Sequence, residues 1–144
     1  LQSSLYDRPF EWAENSDLPA QRKMFRTPDS YGYFTSTWNI APRFRASLFG
    51  TYTGTMLVQH TFYNAQTDSM QDAETLTPDF FDMGLKLAYT FRLSTSVNLE
   101  LSAGVKNIFN SYQKDLDFGP LKDAGYVYGP ALPRMFFAGL KLTM

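Results

Sequence analysis

The stretch FDMGLKLAYTFR, residues 81–92, alternates without a break. Phe81, Met83, Leu85, Leu87, Tyr89 and Phe91 share one parity, and Asp82, Gly84, Lys86, Ala88, Thr90 and Arg92 the other. A period of two places these sets on opposite faces of a β-strand, whereas helical spacing would mix them. One face is wholly apolar and the other polar or small. At ~3.3 Å per residue the stretch reaches ~40 Å. Strands of water-soluble domains usually run ~5–6 residues, and a strand tilted by ~45° crosses the hydrocarbon core of a bilayer in ~9–11.

The pattern repeats on both sides. Val97, Leu99, Leu101, Ala103 and Val105 alternate with Asn98, Glu100, Ser102, Gly104 and Lys106. The polar turn Leu93–Ser96 between the two stretches predicts an antiparallel hairpin. Phe136, Ala138, Leu140, Leu142 and Met144 alternate with Phe137, Gly139, Lys141 and Thr143. Further back, one strand is expected from Phe44 to Gln59, and Tyr31–Trp38 before it reads as another. Between these two lies the short turn Ile40–Arg43. Leu1–Tyr6 fits the tail of one more strand.

The connections alternate in length. Those at Pro42 and Ser94 are short. Three others are expected to be long: roughly Arg8 to Pro28, Thr61 to Asp79 and Asn110 to Pro133. Short turns on one side and long loops on the other are the rhythm of outer-membrane barrels. In that frame Tyr31, Tyr33, Phe34, Phe80, Phe81, Phe109, Phe136 and Phe137 fall at loop-side strand ends. Trp38, Phe44, Tyr89 and Phe91 fall at turn-side ends, which gives two aromatic girdles.

Composition agrees. In 144 residues, 17% are aromatic, while only 44% are hydrophobic and mean hydropathy is −0.30. Barrels mix apolar and polar residues in this way because half of each strand faces water. The formal net charge of −1 provides no basic footprint for nucleic acid. Without cysteine, neither a disulfide framework nor a thiolate metal site is available. Five strands, or six, fall short of the ~8 of the smallest single-chain barrels. Open edges in lipid leave backbone groups unpaired at several kcal/mol each. The chain is therefore expected to be part of something larger.

At the C-terminal end the residues become more specific. GVKNIFNSY (104–112) resembles the late-strand signature of TonB-dependent outer-membrane receptors, where an Asn-aromatic-Asn step closes the penultimate strand. YVYGPALPRMFFAGLKLTM (126–144) is similar to the family's final segment, and RKMFRTPDSYGYFTSTWN (22–39) resembles its late strands. The family usually ends on an aromatic residue, and Met144 departs from that. The resemblance implies an all-β fold: residues 1–144 would be the last five or six antiparallel transmembrane strands of a barrel of about 22, its lumen plugged. The plug domain is absent from this chain. It further implies a bacterial outer-membrane receptor that binds a nutrient outside the cell and imports it by TonB energy coupling. The expected partners are the remainder of the barrel and its plug, the bilayer and lipopolysaccharide, the periplasmic energy-coupling protein through the absent N-terminal part, and the nutrient. No cofactor and no nucleic acid are implied.

Candidate ligand residues on the outer loops are Trp12, Arg22, Lys23, Arg26, His60, Tyr63, Tyr126 and Tyr128, because aromatics and cations on loops carried by a rigid scaffold often bind. Loop packing and lipopolysaccharide contact account for the same residues. His60 is the only histidine, which is too few nitrogen ligands for a metalloenzyme site, and nothing resembles a nucleophilic triad. No catalytic residues are assigned, and no enzyme is expected; the alternative of an outer-membrane enzyme, whose Ser–His pair would have to use His60, lacks its catalytic set in these residues. Facing the lumen or the plug are Asp82, Lys86, Arg92, Glu100, Lys106 and Phe137. If Thr90 pairs with Glu100, Arg92 lies diagonal to Glu100 and Asp82 to Lys106, within reach of long side chains, so a locally balanced charge ladder is expected. A soluble β-barrel or sandwich that binds an apolar ligand would also alternate. Its strands would not need aromatic ends or one-sided long loops.

Overall fold

A computed structural model describes residues 3–13 and 18–144. Among them are nine strands: β1 (Leu5–Phe10), β2 (Gln21–Lys23), β3 (Tyr31–Ala41), β4 (Phe44–Thr53), β5 (Leu57–Asn64), β6 (Ser69–Leu76), β7 (Phe80–Arg92), β8 (Asn98–Lys106) and β9 (Met135–Thr143). The all-β, antiparallel character expected from the alternation holds. The strands form three sheets in two compact units.

One unit comprises residues 32–52, 80–112 and 132–144. It is a five-stranded sheet in the order β3-β4-β7-β8-β9. Arg43, at φ +72°, turns the chain from β3 into β4. The β7–β8 register is the expected one: Thr90 pairs with Glu100, Lys86 with Gly104 and Arg92 with Asn98. β9 continues the ladder, with Glu100 opposite Lys141, Ser102 opposite Gly139 and Gly104 opposite Phe137. Because the period is two, this register holds each apolar set on one face across neighbouring strands. The sheet is open, with β3 and β9 at its edges, and among the described residues no barrel closes.

The NIFN step is legible as backbone chemistry. Asn107 and Asn110 take φ of +52° and +57°, the left-handed region that asparagine visits more readily than most residues. Buried Asn107 uses its whole side chain. Its amide nitrogen donates to Ser111 O (3.1 Å) and Leu132 O (3.0 Å), and its oxygen accepts from Ser111 N (2.8 Å). Asn110 Oδ1 accepts from Arg134 N at 2.9 Å. Two asparagines thus end β8 and set the position from which β9 starts.

The other unit comprises residues 1–31, 53–79 and 113–131. β1 pairs with β2, and β5 with β6, both antiparallel. Three expectations are corrected here. The stretch from Thr61 to Asp79 is not a loop, since it contains the end of β5 and all of β6. Nor is Phe44–Gln59 one strand, because residues 54–56 separate β4 from β5. The cause is a local diversion of backbone bonds. Gly54 N donates to Ser30 O, Asp29 N to Thr55 O, and Met56 N to the hydroxyl of buried Thr77. The expected loop from Arg8 to Pro28 likewise holds β2 and part of β1. Residues 14–17 of that loop, and Leu1 and Gln2 of the expected first strand, lie outside the described residues.

Candidate functional site

All eight residues proposed for ligand contact fall in the unit built from residues 1–31, 53–79 and 113–131. Three segments far apart in sequence meet there. The 113–131 segment has no strand, so discrete side-chain contacts must hold it. Its anchor is Tyr126, only 4% exposed, which packs with Met56 and Val58 into a small core flanked by Tyr128.

His60 on β5 grips this segment twice. Its ring stacks on Tyr126 with centroids 3.7 Å apart and 13° between planes, and its Nε2 lies 2.8 Å from Asp117 Oδ2. The same carboxylate oxygen accepts from Asp123 N, and Asp123 in turn accepts from Thr61 N. The hydrogen bond from His60 is the main reason that the Asp117 carboxyl is held below its ordinary range.

Asp115 joins the two tyrosines. Tyr128 donates to it at 2.6 Å and Tyr126 at 3.1 Å. Burial works against the carboxylate, but the bonds from Tyr128, Tyr126 and Gln113 outweigh it and keep the Asp115 carboxyl low. Both phenols are pushed up, first by burial and then by the neighbouring carboxylate, Tyr128 very far. Gln113 closes the network by donating to Tyr126 O and accepting from Tyr128 N.

The remaining candidates are also engaged within the protein. Trp12 Nε1 donates to Glu74, and its ring meets Phe25 edge-on. Lys23 pairs with Asp29 at 3.0 Å, and that bond, with one from Thr55, lowers the Asp29 carboxyl. Arg22 reaches Asp7 O, Tyr63 donates to Asp68, and Arg26 caps the carbonyls of Gly125 and Val127. The structure brings His60, Tyr126 and Tyr128 together, with Arg26 binding the same segment, while Trp12 and Lys23 serve other local pairs. Sequence reasoning missed Asp115, Asp117, Gln113 and Glu74. The run of acids from 115 to 123 looked like a solvated loop, and nothing in it signalled which carboxylates turn inward.

Beside this network an open groove of about 320 Å³ is lined by Phe62, Tyr63, Asp117, Phe118, Pro120, Leu121 and Lys122. Its exposed aromatics and its mixed charges suit a small amphipathic ligand, with the network fixing one wall. Among the described residues no set of three metal-ligating side chains comes together.

On the five-stranded sheet, the expected charge ladder takes a different form. Glu100 pairs with Arg45 of β4 and lies 4.0 Å from Lys86. Its diagonal neighbour Arg92 instead bonds Ser94 O. Asp82 accepts from Asn107 N, and Lys106 sits over the ring of Phe137, 5.8 Å from its centroid. The ladder does not balance: Arg45, Lys86, Arg92, Lys106 and Lys141 share this face with only Asp82 and Glu100. No family model, no curated protein and no solved structure matches this chain.

Proposed function

We propose that the chain is a stretch of wall, with its outer loops, from a TonB-dependent outer-membrane receptor that binds a nutrient outside the bacterial cell and imports it. The observation that carries this reading is the second face of the five-stranded sheet. Phe44, Leu48 and Tyr52 of β4, all six odd positions from Phe81 to Phe91, Leu99 to Val105 on β8, and Phe136 to Leu142 on β9 place no charged side chain there. Much of it is uncovered: Leu87 is 41% exposed, Leu140 77% and Phe136 81%. Water-soluble monomers rarely expose a contiguous apolar patch beyond a few hundred Å², and a hydrocarbon surround removes the cost. Open edges at β3 and β9 support further strands, because unpaired edges are not tolerated in lipid. The cationic face then turns to the water-filled lumen and its plug, and the groove by Asp117 belongs to the outer surface, where the nutrient is met. In this reading the protein transports rather than catalyses.

These 144 residues contain no cysteine, so a single introduced thiol gives a label that is unique within the sheet. Spin labels at Leu101→Cys and Ser102→Cys, in the receptor within native outer membranes, are relaxed by oxygen and by a water-soluble nickel chelate. Oxygen should dominate at 101 and the chelate at 102. Dominance of the chelate at both positions would point to a soluble sheet and refute the membrane reading.

A further inference from the structure

We infer that the free edge of β6 takes up an extended, positively charged peptide as a third strand of the β5–β6 sheet. Within this hairpin, β5 sends the backbone groups of its odd-numbered residues away from β6: Leu57 O accepts from Arg26 N, and Thr61 N donates to Asp123. Their partners across the ladder are Leu76 and Asp72, with Glu74 opposite Gln59 and Met70 opposite Tyr63. In an antiparallel pair, residues opposite one another either both bond inward or both face outward. Met70, Asp72 and Glu74 therefore present N–H and C=O to the far side of β6. Among the described residues no strand pairs with that side, and no backbone group bonds theirs. From Met70 to Leu76 the edge is ~23 Å long at ~3.3 Å per residue.

The side chains along this edge select its occupant. Residues 57–76 include Asp68, Asp72 and Glu74 and neither lysine nor arginine. Asp72 accepts from the Thr61 hydroxyl at 2.7 Å, and Glu74 from the Trp12 indole at 3.1 Å and the Gln21 amide at 2.7 Å. These donors are neutral. They orient the two carboxylates, and among the described residues no cation pairs with either. Asp72 and Glu74 are two apart, so they stand on one face of the strand, between Met70 (49% exposed) and Leu76 (60% exposed). An uncovered edge invites any extended chain, and charges along it discourage like copies. A second β6 laid antiparallel about Ala73 would set Asp72 against Glu74 twice, and like charges directly opposite destabilise. A strand with lysine or arginine at two alternate positions, flanked by apolar residues two further out, reverses the sign of both contacts. It also keeps the backbone bonds of strand addition. The inference concerns this hairpin alone and is independent of what surrounds the five-stranded sheet.

The probe is an acetylated, amidated heptapeptide with valine at both ends, lysine at its third and fifth positions and threonine elsewhere. Two relatives accompany it. One carries glutamate for lysine; the other keeps the lysines and is N-methylated at the third and fifth amides, the ones that would bond β6. Amide exchange of the whole protein is followed residue by residue. At saturation the lysine peptide should slow exchange at Met70, Asp72 and Glu74 by about tenfold or more. The effect should weaken several-fold as salt rises from ~0.15 to ~1 M. Gln71, Ala73 and Thr75, which face β5, should change little, and the two relatives should change nothing. In the Asp72→Lys, Glu74→Lys double variant the preference should invert to the glutamate peptide. The comparison of the three peptides on the unaltered protein needs no variant. Equal protection by the N-methylated peptide would mean a charge contact that does not use the edge, and would overturn the inference. Protection that grows with protein concentration in the absence of peptide would place a second copy there and overturn it too. If no peptide protects these amides, the acids serve only to keep other chains off the edge, and the inference is wrong.

Discussion

The imidazole of His60 lies flat on the ring of Tyr126 at 3.7 Å while its Nε2 bonds Asp117. One side chain on a strand thus fixes two points of a segment that has no strand of its own. His60→Ala should release residues 113–131 locally, at a cost of roughly 1–3 kcal/mol from the lost ring contact and hydrogen bond. Amide exchange at Asp123 and Tyr126 should quicken by about ten- to a hundredfold, since ~1.4 kcal/mol is a factor of ten. His60→Phe keeps the stack and should fall between the two.

The same network makes this unit sensitive at both ends of the pH scale. Asp115 and Asp117 have lowered folded-state pKa values, so their stabilisation is present above the ordinary carboxylate value near 3.8 and is lost as pH falls through the folded values below it. Tyr126 and Tyr128 are raised, so their contribution is full below the ordinary phenol value of 10 and is lost as pH climbs from there toward the folded values. Protection of the 113–131 amides, corrected for intrinsic exchange, should be flat between and decline below ~4 and above ~10. Asp115→Asn should shrink the acid limb, and Tyr128→Phe the alkaline one.

Asn107 carries three side-chain hydrogen bonds and a left-handed backbone at once. Asn107→Ala loses both and should destabilise the β8–β9 end by roughly 3–5 kcal/mol, from ~1 kcal/mol per bond and ~1–2 for the backbone. Asn107→Gly removes only the bonds and should cost less. Denaturant unfolding of the pair separates the two contributions. If alanine and glycine are equally costly, the backbone argument fails.

The strands of the five-stranded sheet, the turns at Pro42 and Ser94 and the pairing of Thr90 with Glu100 were legible, because alternation fixes faces and a short turn fixes register; β2 and β6, inside expected loops, were not. The break at residues 54–56 was not, since it depends on Ser30, Asp29 and Thr77 approaching from elsewhere in the chain. Of the site, His60, Tyr126 and Tyr128 were named only as loop residues that a rigid scaffold could present to a ligand; that they pack against one another was not legible. Their acidic partners were not, because Asp115 and Asp117 differ from neighbouring solvated acids only in tertiary position. The charged ladder was read correctly in its register and wrongly in its balance. Arg45 enters from β4, a strand the hairpin argument had left out.

Gly104 sits where a side chain has no room. A β-carbon there would overlap both Leu85 O and the ring of Phe137. One obstacle is backbone, so the strain cannot be relieved by a rotamer change alone. Gly104→Ala should cost roughly 1–3 kcal/mol, and Gly104→Ala with Phe137→Ala should recover only part of it. Full recovery in the double variant would mean that the ring was the sole obstacle. Unfolding midpoints in detergent report the difference.

Leu101 and Ser102 are adjacent in the chain and opposite in the sheet, and they distinguish the surroundings of the two faces by energy. A lysine at 101 projects from the uncharged face. If that face meets lipid near the bilayer midplane, Leu101→Lys costs about 2–4 kcal/mol. If it meets water, the substitution removes an exposed apolar group and falls within about 0.5 kcal/mol of neutral. Ser102→Lys adds one more charge to the cationic face, whose cations are already exposed, and should cost under about 1 kcal/mol in either setting. The measurement is reversible urea unfolding of the protein in lipid vesicles. A lysine at 101 should lower stability well beyond a lysine at 102. Equal effects would mean that no hydrocarbon lies against the apolar face, and the membrane assignment would fall with them.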